Sequence, residues 1–163
     1  MRLWGIVLGL GLLALAACDQ NRIAKLEEGV STEAQVRAAF GEPLAVHAEP
    51  GGARTLEYTR QPEGTANYMI TIGPDGVMSA LRQVLAPPYF ARVRPGMTRE
   101  EVRRLLGKPA KEWEFPLKQE SVWDWRWRDG QQGMMFSATF DAQGRVLHAA
   151  SAIDPREIQQ GGY

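Results

Sequence analysis

Few side chains in this sequence could do chemistry, and their spacing limits what that chemistry would be. There is one cysteine, Cys18, and there are two histidines, His47 and His148. Neither histidine sits in an HxxxH or HExxH spacing, which would set two metal ligands on one helix face. His47 falls in a stretch flanked by Pro and Gly that reads as loop, and His148 lies in the last strand-like run. Ser31, Ser79, Ser121, Ser137 and Ser151 lack the GxSxG or SxxK context that presents an activated hydroxyl. The acidic residues are scattered along the chain, with no carboxylate pair marked out for glycoside chemistry. These patterns predict no catalytic residue, no metal site and no bound cofactor.

Cys18 is the exception. Leu15, Ala16, Ala17 and Cys18 resemble a bacterial lipobox, which directs lipidation of the cysteine and cleavage just before it. Met1 and Arg2 give a positive start, and the apolar run from Leu3 to Ala17 is shorter than the roughly 20 residues a spanning helix needs. We therefore expect residues 1–17 to be a lipoprotein signal peptide and 18–22 a lipidated tether. A plain secretory signal and an uncleaved anchor are the alternatives. As the sole thiol, Cys18 leaves no disulfide for the mature chain, and its lipid is the one covalent group expected. Acyl chains contribute ~0.8 kcal/mol per buried CH₂, enough in combination to hold a protein at a membrane surface. Asp19 resembles an inner-membrane retention residue, so the inner membrane stays open beside a favoured outer-membrane, periplasm-facing location.

The positioning elements are written twice. "GVSTEAQVRAAFGEP" (residues 29–43) and "GMTREEVRRLLGKP" (96–109) share threonine, valine, glycine and proline positions at an offset of 66. Thr32 with Gln35, and Thr98 with Glu101, fit capping boxes. Val36, Ala39 and Phe40, or Val102, Leu105 and Leu106, form an i, i+3, i+4 apolar stripe. Gly41 and Gly107 allow a left-handed C-cap, and Pro43 and Pro109 prevent continuation.

Strand-like runs follow each helix. They are residues 55–58, 67–72 and 77–85 in the first copy, and 122–127, 134–140 and 145–152 in the second, with GPDG and DAQG as hairpin turns. The fold class expected is α+β, two tandem units of a helix plus a three-stranded antiparallel meander, residues 23–86 and 87–153. "LAPPYF" reads as the linker and 154–163 as a disordered tail.

Composition narrows the partners. The chain has 163 residues, 44% hydrophobic and 23% charged, with nineteen basic and nineteen acidic side chains, so bulk charge marks no nucleic-acid binder. The second copy is the more basic. Arg99, Arg103, Arg104 and Lys108 lie on its helix away from the apolar stripe, where they could approach anionic headgroups or form a solvated face with Glu100 paired to Arg104. Trp123, Trp125 and Trp127 share one strand face, either as core or as partner anchors, and Asp124, Arg126 and Arg128 share the other.

With these residues in view, "RPGMTREEVRRLLGKP" followed by "WDWRW" resembles the SmpA/OmlA family, the BamE-like lipoproteins of the outer-membrane β-barrel assembly machinery. The match rests on Gly96, Met97, Thr98, Val102, Leu106, Gly107 and Pro109. The resemblance implies a lipid-anchored, non-enzymatic scaffold that binds envelope proteins, including that machinery, and acidic phospholipid. The tandem plan also resembles the β-lactamase inhibitor proteins, which bind through a concave sheet surface. Two functions are thus expected in order: a protein-binding scaffold in outer-membrane protein assembly or envelope maintenance, and a periplasmic binding or inhibitor module acting on an envelope hydrolase.

Overall fold

The computed structural model describes Asn21 and residues 23–160, the last three without their side chains. Cys18 and the whole lipobox reading lie outside the described residues. The fold is α+β, with two four-stranded antiparallel sheets. In chain order the elements are α1 (Glu33–Phe40), β1 (Ala45–Ala48), β2 (Arg54–Thr59), β3 (Asn67–Ile72), β4 (Met78–Gln83), α2 (Pro87–Phe90), α3 (Arg99–Leu106), β5 (Lys111–Phe115), β6 (Glu120–Asp129), β7 (Gln132–Phe140), β8 (Val146–Ile153) and α4 (Pro155–Gln160). The sheets run β1-β2-β3-β4 and β5-β6-β7-β8.

Each meander therefore has one strand more than the sequence predicts. The extra strands, "AVHA" and "KEWEF", are sheet edges, the first only four residues long with Ala45 and His47 half-buried and the second exposed throughout, so neither carries the apolar alternation that marks a strand in sequence. His47 accordingly sits in β1 and not in a loop.

Among the described residues, contacts divide the chain into two compact units. One comprises the chain up to Leu56 together with Ile70–Leu81; the other comprises Glu57–Met69 and everything from Arg82 onward. The hairpin ends of β2 and β3 thus belong with the second unit.

In the first unit, Val36, Leu56, Ile70, Ile72 and Met78 are completely buried. Both capping boxes form: Thr32 Oγ1 accepts from the Gln35 N–H and Gln35 Oε1 accepts from the Thr32 N–H at 2.8 Å, with the same exchange between Thr98 and Glu101. The helix start is also tied to the hairpin turn. Glu33 N–H donates to the Gly76 carbonyl at 3.0 Å, Gly29 N–H to Met78 and Met78 N–H to Ser31. The second unit repeats each bond, with Arg99 N–H to Gly144 at 3.0 Å, Gly96 to Val146 and Val146 to Met97. One orphan N–H of each helix start, at Glu33 and at Arg99, is thereby satisfied by main chain, and the preceding segment is paired to the last strand of its meander.

The C-caps differ from the expected left-handed form. Gly41 has φ 85°, ψ −161° and Gly107 φ 74°, ψ −170°, a region essentially closed to any residue with a Cβ. Asparagine, tolerated in the left-handed helical region, has no such licence here.

The second unit holds the larger aromatic core. Trp123, Trp125, Trp127, Phe136 and Phe140 pack with Val102, Leu106 and Val146. Leu85 and Phe90, from the stretch expected to be a linker, are buried in the same core. Pro87 starts the short helix α2, whose Phe90 ring stacks on Phe136 at 4.3 Å between centroids. Within the expected disordered tail, residues 154–160 are likewise structured. Asp154 is buried, its carboxylate accepts from Arg126 Nη2 at 2.6 Å and from the Arg156 N–H at 3.0 Å, and α4 begins at the next residue. A buried, paired aspartate at a helix N-cap is a strong start, and it lies where the sequence has no apolar periodicity to reveal it.

Candidate binding surface of the second unit

The tryptophan strand is core. Trp125 is 0% exposed, and Trp123 and Trp127 are nearly so. Trp123 meets Phe140 at 5.0 Å and Phe90 meets the Trp127 ring edge-on at 5.1 Å, so none of the three presents an edge to a partner. The reading of these residues as partner anchors is corrected on that ground.

The basic helix residues are also largely committed within the unit. Arg103 donates to Glu57, whose carboxylate is wholly buried, with Nη2 to Oε1 at 3.0 Å. Arg99 donates to Ser121 Oγ and lies over the Phe140 ring. Arg104 pairs with Glu100 at 3.5 Å, the i, i+4 pair expected of a solvated face. Arg126, 12% exposed, is held by Asp154. Arg104 and Lys108 keep exposed side chains, and the Lys108 N–H donates to Glu57 Oε1 at 2.8 Å. A continuous basic face on α3 is therefore not what the fold presents.

What the fold builds around α3 is a polar cradle for its C-terminus. Asn67 Nδ2 donates to the Leu106 carbonyl at 2.7 Å and the Lys108 carbonyl at 2.9 Å, while its Oδ1 accepts from the Thr59 hydroxyl. Trp125 Nε1 donates to the Gly107 carbonyl at 3.0 Å. Orphan carbonyls at the helix end are thus paired with buried side chains. Gln61 makes a similar use of a side-chain amide: it donates to the Arg126 carbonyl at 2.7 Å and accepts from the Arg126 N–H, pairing with β6 as a strand would. Sequence reasoning missed Glu57, Asn67 and Gln61, since polar residues within or beside a strand pattern give no sign of burial.

The accessible chemistry lies on the other face of the second sheet and along its β5 edge. Register sets Lys111, Trp113 and Phe115 on one face with Val122 and Asp124, continued by Thr139 and Ser137 on β7 and His148 and Ala150 on β8. Asp124 organises it, accepting from Trp113 Nε1 and from the Ser137 hydroxyl, both at 2.6 Å. Lys111 Nζ stands 3.5 Å from the Trp113 ring centroid, a cation-π contact. Thr139 Oγ1 lies 3.2 Å from His148 Nε2, beside a depression of about 280 Å³ lined by Phe115, Lys118, Glu120, Val122, Thr139 and His148.

Trp113 and Phe115 are 41% and 43% exposed, and Leu117 in the following turn is fully so. In the first unit an apolar hollow of about 500 Å³ lies against Leu26, Ala38 and Ala39. Among the described residues no three His, Cys, Asp or Glu side chains are grouped to hold a metal, and no helix is long and apolar enough to cross a membrane.

Carboxylate ionisation follows the local donors. The hydrogen bond from Arg54, then that from Arg37, holds the Glu33 carboxyl below the usual range against the opposing effect of burial. The Thr98 N–H does the same for Glu101 in the second capping box.

No family model matches the chain, and no curated protein matches it. Among solved structures it is similar to an osmotically inducible lipoprotein, OsmE, with 25% identity over 45% of this chain and 83% of that one, at a TM-score of 0.37. It is also similar to YjgB, a DUF4309 family protein of Bacillus subtilis, with 20% identity over 80% of this chain and 83% of that one, at a TM-score of 0.31. A third likeness is to an extracellular SCP-domain protein of Bacillus anthracis, with 14% identity, 83% and 48% coverage and a TM-score of 0.26.

Proposed function

We propose that this is a non-enzymatic, lipid-anchored protein of the bacterial envelope, facing the periplasm and binding protein partners in outer-membrane protein assembly or envelope maintenance. The observation that carries the reading is the "LAAC" sequence at Leu15–Cys18, behind an apolar run too short to span and holding the chain's sole cysteine. The doubled helix phrase, with its resemblance to the BamE-like lipoproteins, supports the choice of scaffold over enzyme. The outer membrane is favoured; Asp19 keeps the inner membrane as the alternative.

Two measurements test it. Cys18→Ala should abolish palmitate labelling and release the protein from the membrane fraction; labelling and membrane association that persist would refute the anchor. Photocrosslinking in cells from exposed positions such as Arg104 and Lys108 should recover envelope proteins, and recovery of none from any exposed position would refute the scaffold.

The accessible face of the second sheet supports the second reading, a periplasmic binding or inhibitor module for an envelope hydrolase. It carries the small side chains Ser137 on β7 and Ala150 on β8, with the exposed Trp113 and Phe115 at the opposite, β5 edge. Copurification with one hydrolase whose activity falls on addition of this protein would select it.

A further inference from the structure

We infer that the β5 edge is a docking site for an extended polypeptide segment that alternates basic and apolar residues, added to the second sheet as a further strand. This rests on the protein-binding reading above and names the chemistry of the partner.

β5 ends the sheet order, so among the described residues only one of its sides is hydrogen-bonded. All five of its residues are exposed. An edge strand with unpaired N–H and C=O groups is a template for another chain, and proteins usually blunt it with proline, bulges or lysine. The other edge, β8, is occupied at its start, where Val146 exchanges main-chain bonds with Gly96 and Met97. Nothing comparable covers β5 among the described residues.

The strand's two faces specify what would add to it. Trp113 and Phe115 point to one face, and Glu112 and Glu114 to the other. Neither glutamate has an ion-pair partner among the described residues, whereas Glu33, Glu57 and Glu100 each do. Because opposite residues in paired strands share a face, an incoming strand meets the glutamates with alternate residues and the aromatics with the others. Lysine or arginine at the first set and apolar side chains at the second satisfy both. Such strand addition draws affinity from main-chain bonds and specificity from alternate side chains.

A second copy of this chain is a poor occupant by the same rule. Every co-facial antiparallel pairing that overlaps three or more residues of β5 with itself sets a glutamate against a glutamate: Glu112 on Glu114 about Trp113, Glu112 on Glu112, or Glu114 on Glu114. Like charges directly opposite are destabilising.

The test uses the acylated full-length protein in detergent and short synthetic peptides. A Lys/Val alternating peptide should bind by fluorescence anisotropy, and amide exchange at 111–115 should slow on binding. The double variant E112K/E114K should weaken binding about tenfold, and Trp113→Ser should weaken it as well. Binding as tight by a peptide of identical composition with its lysines in one block, or unaffected by E112K/E114K, overturns the proposal. So does self-association that slows exchange at 111–115 without peptide. In cells, envelope crosslinks that survive E112K/E114K would remove this edge as the site and leave the scaffold reading intact.

Discussion

Arg103 reaches out of α3 to Glu57, a carboxylate with no exposed surface, at 3.0 Å. The corresponding residue of the first copy, Arg37, bonds instead to Glu33 one turn back on its own helix and to the exposed Glu42. The same helix position therefore makes a largely local pairing in one copy and a long-range one in the other. Removing Arg103 takes the guanidinium away from the buried carboxylate, which keeps the Lys108 N–H but loses this neutralising charge. Arg103→Ala should destabilise the protein by about 3 kcal/mol in urea unfolding, and Arg37→Ala by about 1 kcal/mol or less. Equal losses at the two positions would contradict the burial argument.

The two helix-ending glycines should also respond unequally. A Cβ on Gly41 meets nothing within 4 Å, so Gly41→Ala costs only its backbone strain, about 1–3 kcal/mol. At Gly107 the same atom would lie 3.0 Å from Asn67 Nδ2 and 3.3 Å from Met69 Cε, displacing the amide that pairs with two carbonyls. Gly107→Ala should cost about 1–2 kcal/mol more than Gly41→Ala, read as the difference in thermal or urea midpoints.

Glu33 supplies a pH dependence. Its carboxyl is held below the usual value by Arg54 and Arg37, so the unfolded state binds the proton more readily. Its contribution is then fully present above the ordinary carboxylate value of 4.5 and is lost as pH falls through the lower folded value. Glu33→Gln should lose about 1 kcal/mol at pH 7 and converge on the parent protein in strong acid. A difference that is flat with pH would show that the carboxylate charge is not what Arg54 recognises.

Capping boxes give a paired control. Thr32→Ala and Thr98→Ala should each cost about 1 kcal/mol, and serine at either position should restore most of it. Because the main-chain bonds to the turn remain in place, neither variant should change the far-UV circular dichroism of the folded protein.

Much of this architecture is legible in the sequence wherever side-chain pattern and backbone requirement coincide. Thr32, Gln35 and the Val36 stripe specify α1, and the period of Trp123, Trp125 and Trp127 sets them on one face of β6, with the fold deciding that this face is the inward one. What escapes is of two kinds. Edge strands such as KEWEF have no buried face to leave a period. Buried polar residues such as Glu57 and Asn67 look like surface residues, because only the fold shows that Arg103, Lys108 and the end of α3 supply their partners. The basic residues of α3 mislead for the same reason: the sequence counts their charges and cannot see which are spent on a neighbour.

The bonds that tie each helix start to its hairpin turn are made by main chain on both sides, from Glu33 to Gly76 and from Arg99 to Gly144. They ask for no particular side chain at the first helical residue, and the copies indeed hold opposite charges there. After a duplication, such a position can exchange its side chain and keep the bond that holds the helix start, at the cost of that side chain's own pairings, as Glu33 with Arg54 and Arg99 with Ser121 show. A repeat built this way can change its outward character, acidic to basic, one substitution at a time while its frame persists.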